Sequence, residues 1–113
     1  MSEFGFDLQR VIPINRALGD DFLIVSVELY DAGVVVRWVG LPQAEDPGRW
    51  EPPRLELHDD CATEYRPSGS AWSGHVTARG ETAFIPEVPD KASALQVMSP
   101  DGESVDVQVA ASV

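Results

Sequence analysis

Phe22-Leu23-Ile24-Val25-Ser26-Val27-Glu28-Leu29-Tyr30, then Asp31-Ala32-Gly33, then Val34-Val35-Val36-Arg37-Trp38-Val39: these eighteen residues carry the clearest structural signal in the chain. Two β-branched, apolar runs flank a short stretch of turn residues, which is the sequence form of an antiparallel hairpin. Alternation puts Leu23, Val25, Val27 and Leu29 on one face of the first strand, and Val34, Val36 and Trp38 on one face of the second. The opposite faces carry Ser26, Glu28 and Arg37, so the hairpin is expected to meet protein on one side and water on the other. Such an object needs a second sheet to cover it.

Toward the N-terminus, Leu8 to Ile14 sets Val11, Ile12 and Ile14 around Pro13. Proline removes a ladder donor, so this run reads as an edge strand. Met1 to Asp7 reads as a lead-in, and Asn15 to Asp21, with Gly19, Asp20 and Asp21, as a turn region. Toward the C-terminus, Gly40 to Pro53 is a long break in pattern, rich in proline and glycine. Leu55 to His58 and Thr63 to Arg66 read as a second hairpin around Asp59-Asp60-Cys61-Ala62, and Pro67-Ser68-Gly69-Ser70 as a break after it.

Ala71 to Arg79 alternates again, with Trp72, Gly74, Val76 and Ala78 on one face. The small residues Gly74 and Ala78 suggest space for a bulky neighbour such as Trp38. Glu81 to Ile85, Ala94 to Met98 and Val105 to Val109 complete the set, the last two joined by the turn sequence Ser99-Pro100-Asp101-Gly102. Helical periodicity of useful length is absent. Seven to nine short strands, with turns about every 8–12 residues, predict an all-β fold of two antiparallel sheets packed face to face, one domain spanning residues 8 to 110.

The 113 residues suit one domain able to bury a core, and 43 % hydrophobic content suits a folded chain. Nineteen acidic against 8 basic residues give a formal charge of −11, which repels phosphate backbones and anionic lipid. Neither nucleic acid nor a membrane is therefore an expected partner. The single cysteine, Cys61, excludes an intrachain disulfide. The N-terminus has neither a basic start nor an apolar core of a secretory signal, and no apolar run approaches the roughly 20 residues that span a bilayer. A cytoplasmic location is the expectation that follows.

The succession Ser26-Val27-Glu28-Leu29-Tyr30, Gly33, Val35-Val36-Arg37-Trp38, Leu57-His58-Asp59-Asp60 with Thr63 and Tyr65, and Phe84-Ile85-Pro86 with Pro89 and Leu95 resembles small immunoglobulin-like β-sandwich domains of bacteria, chiefly actinobacterial, of unassigned function. The resemblance covers roughly residues 8 to 110. It implies an immunoglobulin-like sandwich without the paired cysteines of antibody domains, with Trp38 as the core tryptophan of the third strand. For activity it implies little beyond binding or support of other domains.

The densest polar cluster is His58, Asp59, Asp60 and Glu64, with His75 elsewhere in the chain. Carboxylates and imidazoles can hold a divalent ion, which makes His58, Asp59 and Asp60 the metal candidates. Their spacing matches no metal loop, and turn aspartates that bond their own backbone explain the pair without metal, so no cofactor is expected. No nucleophile stands beside a base in any hydrolase motif, and the carboxylates around Cys61 disfavour its thiolate. No catalytic residue is assigned.

Trp38 and Trp72 alternate with apolar residues and are expected in the core. Trp50, beside Arg49 in the Gly40 to Pro53 loop, has the composition of an interface hot spot. The sequence thus favours a non-enzymatic protein working through protein contacts, as a homo-oligomer or an accessory module, with Arg49 and Trp50 as binding candidates. The alternative is a small-ligand or divalent-metal site at the loop end of the sandwich.

Overall fold

The computed structural model describes residues 7–19, 22–40, 54–73, 79–100 and 102–109, apart from the side chains of Trp72 and Ser73. Eight strands form two antiparallel sheets: β1 (Leu8–Leu18), β2 (Phe22–Tyr30), β3 (Val34–Gly40), β4 (Glu56–Asp59), β5 (Arg66–Ser73), β6 (Arg79–Ile85), β7 (Ala94–Met98) and β8 (Ser104–Gln108). One sheet runs β1-β2-β3-β6-β5 and the other β4-β7-β8. No helix occurs among the described residues. The expected all-β sandwich is what the chain forms.

Set β1 aside, and the sheets read β2-β3-β6-β5 and β4-β7-β8. That is the strand order A-B-E-D and C-F-G of a constant-type immunoglobulin domain, with β1 added at the outer edge. Trp38 therefore lies on the counterpart of the second strand, not the third. The third strand's counterpart is β4, whose buried apolar residue is Leu57.

The central hairpin closes as the turn residues require: Tyr30 N–H donates to the Gly33 carbonyl at 2.9 Å. Its face assignment needs one correction. Ile24 pairs with Trp38 but Ser26 pairs with Arg37, so a bulge at Val25 switches the alternation in mid-strand. Ile24 and Val27 are both fully buried in the core, whereas Leu23 and Val25 are only half-buried and lie outside it. Val34, Val36 and Trp38 face inward as the sequence indicates.

Three segment boundaries also move. Asn15 to Leu18 continue β1 instead of turning, because a second bulge, with Asn15 at φ 52°, absorbs the change of register between Pro13 and Arg16. Leu55 to Arg66 is not a hairpin: β4 pairs with β7 and β5 with β6, so residues 60–65 carry the chain from one sheet to the other. Short runs of alternation specify a strand but not its partner. Pro67 to Ser70, expected as a break, lie inside β5 at a shift in its pairing with β6.

The core is one cluster between the sheets, built from Leu18, Ile24, Val27, Val36, Trp38 and Phe84 on one side and Leu57, Leu95, Val97, Val105 and Val107 on the other. Phe22 meets Trp38 edge to face, with ring centroids 5.9 Å apart. The Trp38 ring lies over Gly80, its cross-strand partner. A Cβ on Gly80 would stand 2.5 Å from the Ala71 carbonyl oxygen and 2.6 Å from Trp38 Cζ2. The expected small residue beneath Trp38 is thus Gly80; Gly74 and Ala78 lie outside the described residues. Trp38 Nε1 donates to Thr82 Oγ1 at 3.2 Å, which satisfies two buried polar groups together.

Candidate functional site

Three places gather polar or exposed apolar groups. The first is the turn after β4. Asp59 Oδ1 accepts from Cys61 N at 2.8 Å and Thr63 N at 3.0 Å, while Oδ2 accepts from the Tyr65 hydroxyl at 2.8 Å. Asp60 reaches across to Ser93, accepting from its backbone N at 3.0 Å and also from its hydroxyl. Burial opposes ionisation of Asp59, but the hydrogen bonds from Thr63, Tyr65 and Cys61 outweigh it and hold its pKa below the ordinary value. Burial and then the hydrogen bond to Asp59 push the Tyr65 phenol strongly upward.

These carboxylates staple the crossing between sheets. His58 points elsewhere, with Nε2 3.6 Å from the Glu56 carboxylate. Among the described residues no group of three or more histidine, cysteine, aspartate or glutamate side chains is placed to hold a metal ion. His58, Asp59 and Asp60 are not brought together as ligands; His75 lies outside the described residues. Burial and the charges of Asp60 and Asp59 push the Cys61 thiol pKa up, the direction expected of a poor nucleophile.

The second place is the outer face of the five-stranded sheet. Glu28 accepts from the Tyr30 hydroxyl at 2.9 Å and from Arg37 Nε at 2.8 Å, and Arg37 Nη1 lies 3.2 Å from Glu81. Ser26 and Glu28, expected to meet water, are 7 % and 8 % exposed, and the Glu28 carboxylate is engaged there by Tyr30 and Arg37. Beside this network a groove of about 540 Å³ is bordered by Val25, Val39, Arg79 and Glu81.

The third place is β1. It ends the five-stranded sheet, and among the described residues no strand pairs with its outer edge. Leu8 and Val11 are the large hydrophobic residues that stand exposed among those described, at 52 % and 48 %. Val11 pairs with Glu28 and Leu8 with Tyr30, so the exposed apolar pair adjoins the polar network. Arg10 Nη1 donates to the Val109 carbonyl at 2.8 Å, tying β1 to the end of the other sheet.

Arg49 and Trp50, the binding candidates of the sequence, lie outside the described residues. Leu8 and Val11 are legible in the sequence only in part. Pro13 marks the run Leu8 to Leu18 as an edge strand, but nothing in the run shows that Leu8 and Val11 stand exposed.

Fold and surface together define a disulfide-free antiparallel β-sandwich with immunoglobulin-type strand order. Comparison with protein-family models, with curated proteins and with solved structures returns no match. Among the described residues no helix is long and apolar enough to cross a membrane.

Proposed function

We propose that this protein is a non-enzymatic β-sandwich that acts through protein contacts, as a homo-oligomer or as an accessory module, in the cytoplasm. The exposure of Leu8 and Val11 on a sheet-terminating strand is the observation that carries the reading. Exposed apolar side chains beside an unpaired strand edge are features that folded proteins normally suppress unless a partner covers them. Kinship with small bacterial immunoglobulin-like domains is part of the same proposal, and the strand order supports it.

Sedimentation equilibrium of the purified protein, paired with affinity capture from the cells that make it, tests the reading. A concentration-dependent dimer, or a specific partner lost from a Leu8→Ser/Val11→Ser variant, is the expected result. Trp50→Ala run in parallel assigns any association to the loop instead. A monomer at all concentrations with no specific partner overturns the reading.

A further inference from the structure

We propose that β1 is a two-part strand whose N-terminal part, Leu8 to Pro13, opens from β2 as a unit while the sandwich of β2 to β8 stays folded. The inference goes beyond the reading of this protein as an interaction module and does not depend on it. Two blocks of pairing make up β1: Leu8 to Pro13 against Tyr30 to Ser26, and Arg16 to Leu18 against Ile24 to Phe22, with a register shift between them. Asn15 sits in that shift at φ 52°, and Pro13 at its border has no N–H to donate. The ladder is thus broken between the blocks, and one block opens without pulling on the other.

Burial separates the blocks further. Leu18, 2 % exposed and a member of the core cluster, anchors the second block. In the first, Leu8, Gln9, Arg10, Val11 and Pro13 are exposed, and Ile12 alone packs, half-buried, against the core. Strand β3, by contrast, buries five of its seven residues. Opening of the first block therefore removes no fully buried side chain from the core and bares little apolar surface. Beyond the ladder, the ties that hold this end among the described residues lie at the surface. Arg10 Nη1 donates to the part-buried Val109 carbonyl, and Asp7 N–H to the exposed Asp31 carboxylate at 2.8 Å, while Asp31 N–H returns a bond to the Asp7 carbonyl at 3.1 Å. Water replaces such partners at small net loss. The strands that remain, β2-β3-β6-β5 and β4-β7-β8, are already a complete two-sheet sandwich. While closed, the block covers the edge of β2; open, it bares Ser26 to Leu29, an edge without proline. The fold thus carries a reversible cover over its own sheet edge.

Native-state amide hydrogen exchange of the full chain, repeated at a series of low denaturant concentrations, tests the inference. Successive amides of an antiparallel strand point to opposite neighbours, so β2 carries its own control. Between Ser26 and Leu29, amides facing β1 are expected to exchange about a hundredfold or more faster than those facing β3, at rates nearly independent of denaturant, as local opening requires. Arg10→Ala, at an exposed position, removes the tie to Val109 and should speed the β1-facing amides several-fold while leaving the β3-facing ones unchanged. Equal rates and equal denaturant dependence for both sets would mean that β1 opens only with the whole domain, which overturns the inference. Acceleration of both sets alike by Arg10→Ala overturns it too, since the tie would then support the entire sandwich. So does exchange of Arg16 to Leu18 in step with the first block, because the break after Pro13 would then divide nothing. A dimer or a captured partner bears on the broader reading alone.

Discussion

Strand β3 belongs to both faces of the five-stranded sheet, and the faces are built on different rules. Inward, Trp38 fills a space whose floor is the backbone of Gly80, and its indole N–H donates to a buried threonine. Outward, one residue earlier, Arg37 spans Glu28 and Glu81 while remaining 47 % exposed. The inner face works by shape, where a single added carbon meets backbone atoms that cannot move aside. The outer face works by charge at a wet boundary, where side chains reorient and salt screens. Stability should therefore be sensitive to volume on one side of β3 and to ionic conditions on the other.

Gly80→Ala puts the heaviest load on this distinction. Its Cβ would clash with both the Ala71 carbonyl and the Trp38 ring, so a loss of about 3 kcal/mol or more is expected from overpacking against backbone. Chemical denaturation in low and high salt should give the same deficit. A neutral substitution would mean that β5 and β6 separate easily, and the inner face would lose its claim to rigidity.

Asp59→Ala comes next, at about 2 kcal/mol, since three donors lose their acceptor at the crossing between sheets. The sign of its pH dependence follows from the lowered folded-state pKa. Stability from Asp59 is present above its unfolded value of 3.8 and is lost as pH falls through and below that value. Thermal melts from pH 7 to pH 3 should show the wild-type protein converging on the variant in acid. Parallel curves would show that the carboxylate charge plays no part.

Arg37→Met probes the outer face directly. It takes from the Glu28 carboxylate, whose side chain is 10 % exposed, the charged donor of its pair and leaves it the neutral Tyr30 hydroxyl, for an expected loss of about 1–2 kcal/mol. Unlike the Gly80 deficit, this one should shrink in concentrated salt.

The same contrast governs what the sequence made legible. Alternation in Val34, Val36 and Trp38 announced the inner face of β3 directly, because burial enforces a period of two. That rule failed along β2, where a bulge at Val25 reversed the phase without any glycine or proline to announce it. Asn15 hid a bulge in the same manner, since asparagine suits both a turn and the left-handed conformation. The pairing of β4 with β7 was invisible because four residues, Glu56 to Asp59, carry too little pattern to choose a partner. At the site, Asp59 and Asp60 were legible as turn formers but not as the staple to Tyr65 and Ser93, which depends on tertiary placement. Pro13 made β1 legible as an edge strand, but the exposure of Leu8 and Val11 was not legible, because exposure is a property of neighbours.

The outer limb of the Arg37 network should matter least. Glu81 meets Arg37 at 3.2 Å with both side chains partly exposed, whereas Glu28 meets it at 2.8 Å and is nearly buried. Glu81→Gln should cost about 0.5 kcal/mol at low salt and become undetectable at high salt, as exposed ion pairs do. A double-mutant cycle of Arg37→Met with Glu81→Gln isolates that coupling from Glu28. A coupling well above about 1 kcal/mol would mean that Arg37 is held rigidly by both carboxylates. The outer face would then share the inner face's dependence on geometry, and the distinction between the two sides of β3 would reduce to one of degree.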